Sequence, residues 1–92
     1  MPKLITPDML KCKDKAEEAV CKLFGIGKEV INSKGRGERA SRARFVVYYL
    51  LKKAYRMKNS TIAQIYGKHH TSIRYGIERA KTLGLINNLP KL

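Results

Sequence analysis

Acidic side chains are scarce in this chain of 92 residues, which has 7 Asp and Glu against 20 Lys and Arg and a formal net charge of +13. The shortage is uneven along the chain. Residues 1–33 carry six Lys and five acidic residues, a net charge of +1, whereas residues 34–92 carry fourteen basic and two acidic residues, a net charge of +12. Such a concentration of positive charge in a small protein is typical of nucleic-acid binding.

Cysteine and long apolar segments are also rare. The two cysteines, Cys12 and Cys21, lie nine residues apart in a segment with a helical pattern, which fits neither a disulfide framework nor a zinc motif. We interpret them as reduced residues in the core or at its edge. No apolar run approaches about 18 residues and we find no secretory signal, so we predict a cytoplasmic, nucleoid-associated protein without a membrane partner.

Patterns that carry catalysis or hold metals are missing. There is no glycine-rich phosphate loop, no spacing typical of a Ser-His-Asp or Cys-His site, and too few carboxylates for a metal-dependent nuclease. His69 and His70 are adjacent and would point apart on a helix, and no acidic residue or cysteine lies at ligand spacing from them. We therefore predict no enzymatic activity, no bound metal and no cofactor.

The length and the apolar periodicity predict one all-α domain over residues 1–92. A first helix is expected to begin with Thr6 as its cap and Pro7 in its first turn, and to end at Gly25. Residues 28–32 are expected to add a further helical turn.

The most apolar segment, residues 43–55, predicts a central buried helix. Its apolar residues cover most of the circumference and leave one cationic and aromatic stripe, which consists of Arg44, Tyr48, Lys52 and Tyr55. The stripe is either a solvent-exposed face or a surface that contacts DNA phosphates.

Residues 33–42 contain two glycines among basic and small residues, which predicts an exposed basic loop. One interpretation is a solvated linker. The other is an arm that reaches into a DNA groove, because glycine lets the backbone approach closely.

Residues 59–83 predict two helices separated by a glycine turn, which is the layout of a helix-turn-helix. Three residues compete to cap the shorter helix, namely Asn59, Ser60 and Thr61, of which Thr61 fits a capping box with Gln64. Gly67 fits the turn. The longer helix is expected to have an apolar inner face formed by Ile73, Ile77, Ala80 and Leu83. Its outer face is expected to carry Arg74, Glu78 and Lys81.

The start of the longer helix carries short polar side chains. His70, Thr71 and Ser72 can exchange hydrogen bonds with base edges, and the Thr71 methyl group can contact a thymine methyl group. Lys68 and Arg74 add positive charge nearby. We therefore predict double-stranded DNA as the partner, with this end of the helix in the major groove. The alternative is that Thr71 or Ser72 only caps the helix and the two histidines are merely exposed.

Five runs of the sequence together resemble the C-terminal DNA-binding domain of DnaA, the bacterial chromosomal replication initiator. They are KGRGERASRAR at 34–44, VVYYLLKK at 46–53, IAQIYG at 62–67, KHHTSI at 68–73 and ERAK at 78–81. The resemblance covers roughly three quarters of the chain, from residue 16 to residue 83. It implies an all-helical fold related to the Trp repressor, which reads a short asymmetric duplex site as a monomer.

The resemblance also implies roles for particular residues. The family's major-groove residues are matched by His70, Thr71 and Ser72, and the arginine just before them is matched by Lys68. Arg36 matches an arginine of the family's basic loop, which enters the adjacent minor groove. Arg44 and Lys52 match basic positions of the central helix that contact phosphates.

Three departures from the family bear on function. His69 stands where the family has an aspartate that would accept a hydrogen bond from a cytosine amino group, so we count His69 among the DNA contacts but do not assume the usual initiator box. A single Gly67 replaces a glycine pair. The initiator's ATPase domain is not in these 92 residues. One interpretation is an excised domain, and the other, which we favour because Met1 and the acidic first helix resemble a natural start, is a protein of its own. We therefore predict a stand-alone protein of replication initiation or its regulation, without ATPase activity.

Two other functions fit parts of the sequence. A non-specific adaptor would hold DNA loosely and bind a replication or transcription protein through its first helix. A structured-RNA binder would use the basic loop, but the sequence lacks an aromatic-rich sheet signature. Ile86, Leu89 and Leu92 could form a small contact patch, although the resemblance favours a monomer.

Overall fold

The computed structural model describes residues 6–32 and 37–85, and that part of the chain forms five helices and no strand. The helices are Pro7–Phe24 (α1), Lys28–Asn32 (α2), Glu38–Lys53 (α3), Asn59–Tyr66 (α4) and His70–Thr82 (α5). The all-α prediction is confirmed.

Both ends of α1 lie where the sequence predicts them. The Thr6 hydroxyl accepts a hydrogen bond from the Met9 backbone N–H at 3.2 Å, and Pro7 occupies the first turn, where its missing N–H costs nothing. Gly25 takes the left-handed conformation, with φ +66°, and donates its N–H to the Cys21 carbonyl oxygen at 2.8 Å. The predicted turn at 28–32 is confirmed as α2.

Cys12 and Cys21 are half-buried free thiols, as interpreted from their spacing. Burial, followed by the charge of Glu17, raises the pKa of the Cys21 thiol. A raised pKa keeps this sulfur in the less reactive thiol form.

α3 begins at Glu38, earlier than the sequence predicts, and ends at Lys53. The predicted loop is therefore wrong for residues 38–42. Glu38 lies in the first turn, where the helix dipole favours an acidic group, and it pairs with Arg42 one turn later. Ala40 is buried, so this extension also adds apolar contact to the core.

α3 is the central helix, as predicted, and contacts the other four. Val46, Val47 and Leu51 are fully buried. The predicted exposed stripe is wrong at Tyr48, which is only 5% exposed and meets the Tyr66 ring edge-on, with ring centroids 5.3 Å apart. Burial raises the pKa of Tyr48, so its phenol stays neutral within the core.

α4 and α5 occupy the positions predicted for the helix-turn-helix, but two details differ. Lys58 is the N-cap of α4, and the three predicted caps, Asn59, Ser60 and Thr61, all lie inside its first turn, so these caps and the capping box are wrong. Thr61 is also buried. Leu83 caps the C-terminus of α5 and is 37% exposed, because the helix ends before this position can face the core. The rest of the predicted inner face of α5 is buried, namely Ile73, Ile77 and Ala80.

One carboxylate in the described part of the chain lies in the interior. Glu17 is 1% exposed; it accepts hydrogen bonds from the Tyr66 hydroxyl at 2.7 Å and the Asn32 amide at 3.3 Å, and it pairs with Lys13 at 3.1 Å. Burial, followed by the hydrogen bond to Glu17, raises the pKa of Tyr66 well above its ordinary value, so the phenol keeps the proton that it donates. We call these four residues the Glu17 cluster. It joins α1, α2 and α4 at the residue that precedes the turn of the helix-turn-helix.

Candidate nucleic-acid interface

A tight turn joins α4 to α5. Gly67 has φ +63°, a left-handed conformation that suits glycine, and the Lys68 N–H donates to the Ala63 carbonyl oxygen at 2.8 Å. α5 then begins at His70. The turn therefore leaves the N-terminal end of α5 at the surface, as the sequence predicts.

His69 is the N-cap of α5. Its Nδ1 atom accepts a hydrogen bond from the Thr71 backbone N–H at 3.3 Å and lies 2.8 Å from the Thr71 hydroxyl oxygen. Because Nδ1 is the acceptor, the hydrogen of the neutral ring lies on Nε2. The alternative in which Thr71 or Ser72 caps the helix is wrong, so neither hydroxyl is required for that role.

Six of the predicted contact residues surround this helix start, and all six are exposed: Lys68, His69, His70, Thr71, Ser72 and Arg74. We call them the recognition surface. The His69 and His70 rings lie 4.4 Å apart with an interplanar angle of 32°, so they pack together at the tip of the helix. The structure thus brings together six of the nine predicted site residues.

α3 crosses α5 at Gly76. A Cβ atom at this position would lie 2.8 Å from Tyr48 Cδ2 and 2.9 Å from Phe45 Cδ1, closer than carbon atoms can approach, so only glycine fits without a shift of the aromatic rings. The two helices can therefore approach closely. Arg44 lies one turn before Tyr48 on α3 and Lys52 lies one turn after it, so they lie on opposite sides of the crossing.

The first side of the crossing forms a cleft of about 410 Å³. Its lining residues are Ser41, Arg44, Phe45, Tyr48, Lys68, Thr71, Ser72 and Tyr75. Arg44 is half-buried there, and its Nε donates to the Ile31 carbonyl oxygen at 2.8 Å. Its guanidinium therefore holds α2 against α3 and also lines the first cleft.

Tyr75 is a lining residue that the sequence analysis did not identify. It is 60% exposed, and its ring meets the Phe45 ring edge-on, with ring centroids 6.0 Å apart. Its position four residues after Thr71 and three after Ser72 places it on the same face of α5, so helical spacing could have identified it.

The opposite side forms a second cleft of about 300 Å³. Its charged lining residues are Lys52, Lys53, Arg74, Glu78 and Lys81. The Lys52 ammonium donates to the Asn59 side-chain oxygen at 3.0 Å, which positions it at the start of α4. Lys52 is thus separated from Arg44, although the sequence placed both on one stripe.

Several predictions concern other parts of the molecule. Arg36 and the patch formed by Ile86, Leu89 and Leu92 lie outside the described residues. Within residues 6–32 and 37–85, no group of three or more His, Cys, Asp or Glu side chains could hold a metal ion. No helix in the same part of the chain has the length and apolarity needed to cross a membrane.

The family model of the bacterial DnaA protein helix-turn-helix matches residues 14–80. This chain belongs to that family. The match runs from the middle of α1 to near the end of α5, so it includes the turn, the recognition surface and both sides of the crossing with α3. A search of curated proteins and a search of solved structures give no match.

Membership shows which domain of the initiator this chain is related to. The DnaA helix-turn-helix is a DNA-binding domain and not a catalytic one. DNA is accordingly the partner that the family indicates.

Proposed function

We propose that this DnaA-type domain binds duplex DNA in a sequence-specific manner, with the N-terminal end of α5 in the major groove. The observation that carries the proposal is the exposed polar end of α5, which lines the first cleft and is followed on α5 by the second cleft, both with cationic side chains. The major groove admits an α-helix, and a recognition helix reads base edges with its N-terminal residues.

We assign base reading to His69, His70, Thr71 and Ser72. His69 offers the Nε2 hydrogen as a donor, because its Nδ1 is engaged by Thr71. A donor matches the acceptors of the major groove, namely N7 and O6 of guanine, N7 of adenine and O4 of thymine. The cytosine amino group is itself a donor, so His69 selects against it.

We assign phosphate contacts to basic side chains of the recognition surface and of the two clefts. Lys68 lines the first cleft, together with Arg44. Lys52 and Arg74 line the second cleft. We also assign Arg36 to the adjacent minor groove, on the strength of its match to the basic loop of the family. Charged donors of this kind fix the register of the protein on DNA without reading sequence.

The role that fits these properties is in replication initiation or its regulation, at the nucleoid. This chain is proposed to act by occupying DNA sites, without hydrolysing ATP. A regulator of this type needs only affinity and specificity, and both depend on the surface around α5.

We expect Thr71→Ala to remove about 1–3 kcal/mol of discrimination between the preferred duplex and a scrambled duplex. The substitution deletes the hydroxyl and methyl groups that meet a base edge. It keeps the backbone N–H of residue 71, which donates a hydrogen bond to His69 Nδ1. Fluorescence anisotropy with the two labelled duplexes measures the difference. Thr82→Ala, on an exposed residue at the far end of α5, is the control. Equal weakening on both duplexes would contradict base reading by Thr71. Equal affinity of the unaltered protein for all duplexes would favour the adaptor instead.

We expect His69→Asp to change the preferred base at one position of the site. Aspartate is a good N-cap, so the start of α5 is kept, but an acceptor replaces the Nε2 donor. Selection from random duplexes should yield cytosine where the unaltered protein selects a base with an acceptor. Identical selected sites would mean that His69 serves only as a cap.

A further inference from the structure

Two clefts lie on either side of the outer face of α5. Successive residues of a helix turn by about 100°, so Thr71 and Tyr75 project toward one side while Arg74 and Lys81 project toward the other. The first pair lines the first cleft and the second pair lines the second cleft. A helix in the major groove has the phosphates of one strand on one side and those of the other strand on the other side.

The spacing along α3 matches this arrangement. Arg44 and Lys52 are eight residues apart, which is about 12 Å along a helix axis. The major groove is about 12 Å wide. Because α3 crosses under α5 at Gly76, its two cations emerge on the two sides of α5.

We propose that the second cleft is a binding site for phosphates of one DNA strand, while the first cleft faces the other strand. This inference rests on the proposed function and adds Lys53 and Lys81 to the residues that bind DNA. Lys52, Lys53, Arg74 and Lys81 supply four positive charges in the second cleft. The hydrogen bond from Lys52 to Asn59, at 3.0 Å, holds one ammonium group at the second cleft even in the absence of DNA.

Glu78 limits the affinity of this site. It lines the same cleft and lies 3.8 Å from the Lys81 ammonium. Its carboxylate opposes the approach of a phosphate and competes for Lys81. Removal of this one negative charge therefore strengthens DNA binding.

The first test compares Glu78→Gln with Glu18→Gln. The two side chains are matched, because each is 63% exposed and forms an ion pair with a lysine, at 3.8 Å for Glu78 and 3.7 Å for Glu18. Glu18 lies on α1, outside both clefts. Near physiological salt, Glu78→Gln should raise duplex affinity about threefold or more, and Glu18→Gln should change it by less than about 1.5-fold. Equal changes would mean that only the net charge matters, which would overturn the proposal.

The second test removes Lys53 and Lys81 together by substitution with alanine. Duplex affinity at low salt should fall at least about tenfold, and the slope of log affinity against log salt should flatten by about two. A single strand cannot occupy both clefts, so its affinity should fall less. The control is the double substitution Lys11→Ala and Lys15→Ala on the exposed surface of α1. Circular dichroism checks that each variant is folded.

The results separate this inference from the proposed function. If the Lys53 and Lys81 double variant behaves as the α1 control does, or loses equal affinity for duplex and single strand, the second cleft is not a strand-specific site. The proposed function still stands in that case if Thr71→Ala reduces discrimination. If the unaltered protein shows no preference among duplexes, the proposed function itself fails.

Discussion

Duplex binding by this protein should weaken about a thousandfold when the salt concentration rises from about 50 to about 200 mM. The recognition surface and the two clefts contain Arg44, Lys52, Lys68 and Arg74. We assign further phosphate contacts to Lys53 and Lys81, and Arg36 adds a positive charge in the minor groove. Five to seven such contacts release enough counterions to give a log–log slope of roughly −5 to −6. Anisotropy titrations across a salt series measure this slope directly.

Two variants determine how the slope is interpreted. Lys52→Ala should flatten it by about one unit and weaken all duplexes alike, because a phosphate contact carries no sequence information. Thr71→Ala should leave the slope unchanged while it reduces discrimination, because threonine has no charge. A slope shallower than about −2 for the unaltered protein would contradict the proposed set of phosphate contacts.

Substitution of Glu17 by alanine should lower the free energy of unfolding by about 3–4 kcal/mol. The change leaves the buried Tyr66 hydroxyl without the acceptor that it now has at 2.7 Å. It also removes one of two partners of the Asn32 amide and of the half-buried Lys13 ammonium, and it opens a cavity in the core. Urea unfolding, followed by circular dichroism, measures the loss.

A short series of variants separates the contributions to this loss of unfolding free energy. Tyr66→Phe deletes one donor to a buried carboxylate and should cost about 1.5–3 kcal/mol. Glu17→Gln keeps the shape and an oxygen acceptor, so it should cost less than Glu17→Ala. Glu18→Ala, at the exposed neighbouring position, should change the stability by less than about 0.5 kcal/mol. A cost below about 1 kcal/mol for Glu17→Ala would contradict a stabilising role for the Glu17 cluster.

The sequence predicts those features of this fold that depend on residues close to one another in the chain. The cap at Thr6 and the left-handed turns at Gly25 and Gly67 are local, so their positions are confirmed. The DnaA-type motif is likewise carried by continuous runs, and the family match confirms it. The assignment of individual residues to DNA contacts stays a prediction.

Features that depend on distant contacts are not predictable in the same way. Tyr66 is 49 residues from Glu17, and nothing in the local pattern around either residue indicates that they meet. Tyr48 was expected at the surface because its helical spacing matches Arg44 and Lys52. Its burial follows from the approach of α5, which requires the absence of a side chain at residue 76. The same approach separates Arg44 from Lys52 and creates two clefts in place of one stripe.

Gly76 therefore sets the reach that we propose for the cations of α3 toward DNA. Packed helices lie about 8–10 Å apart, and the distance depends on the side chains at the contact. A larger distance between α3 and α5 would move the cations of α3 by the same amount away from the surface that faces DNA. Their side chains have fixed length, so a helix that still entered the groove would leave them short of the DNA backbone. One missing methyl group thus lets a buried helix contribute to the outer surface of the molecule.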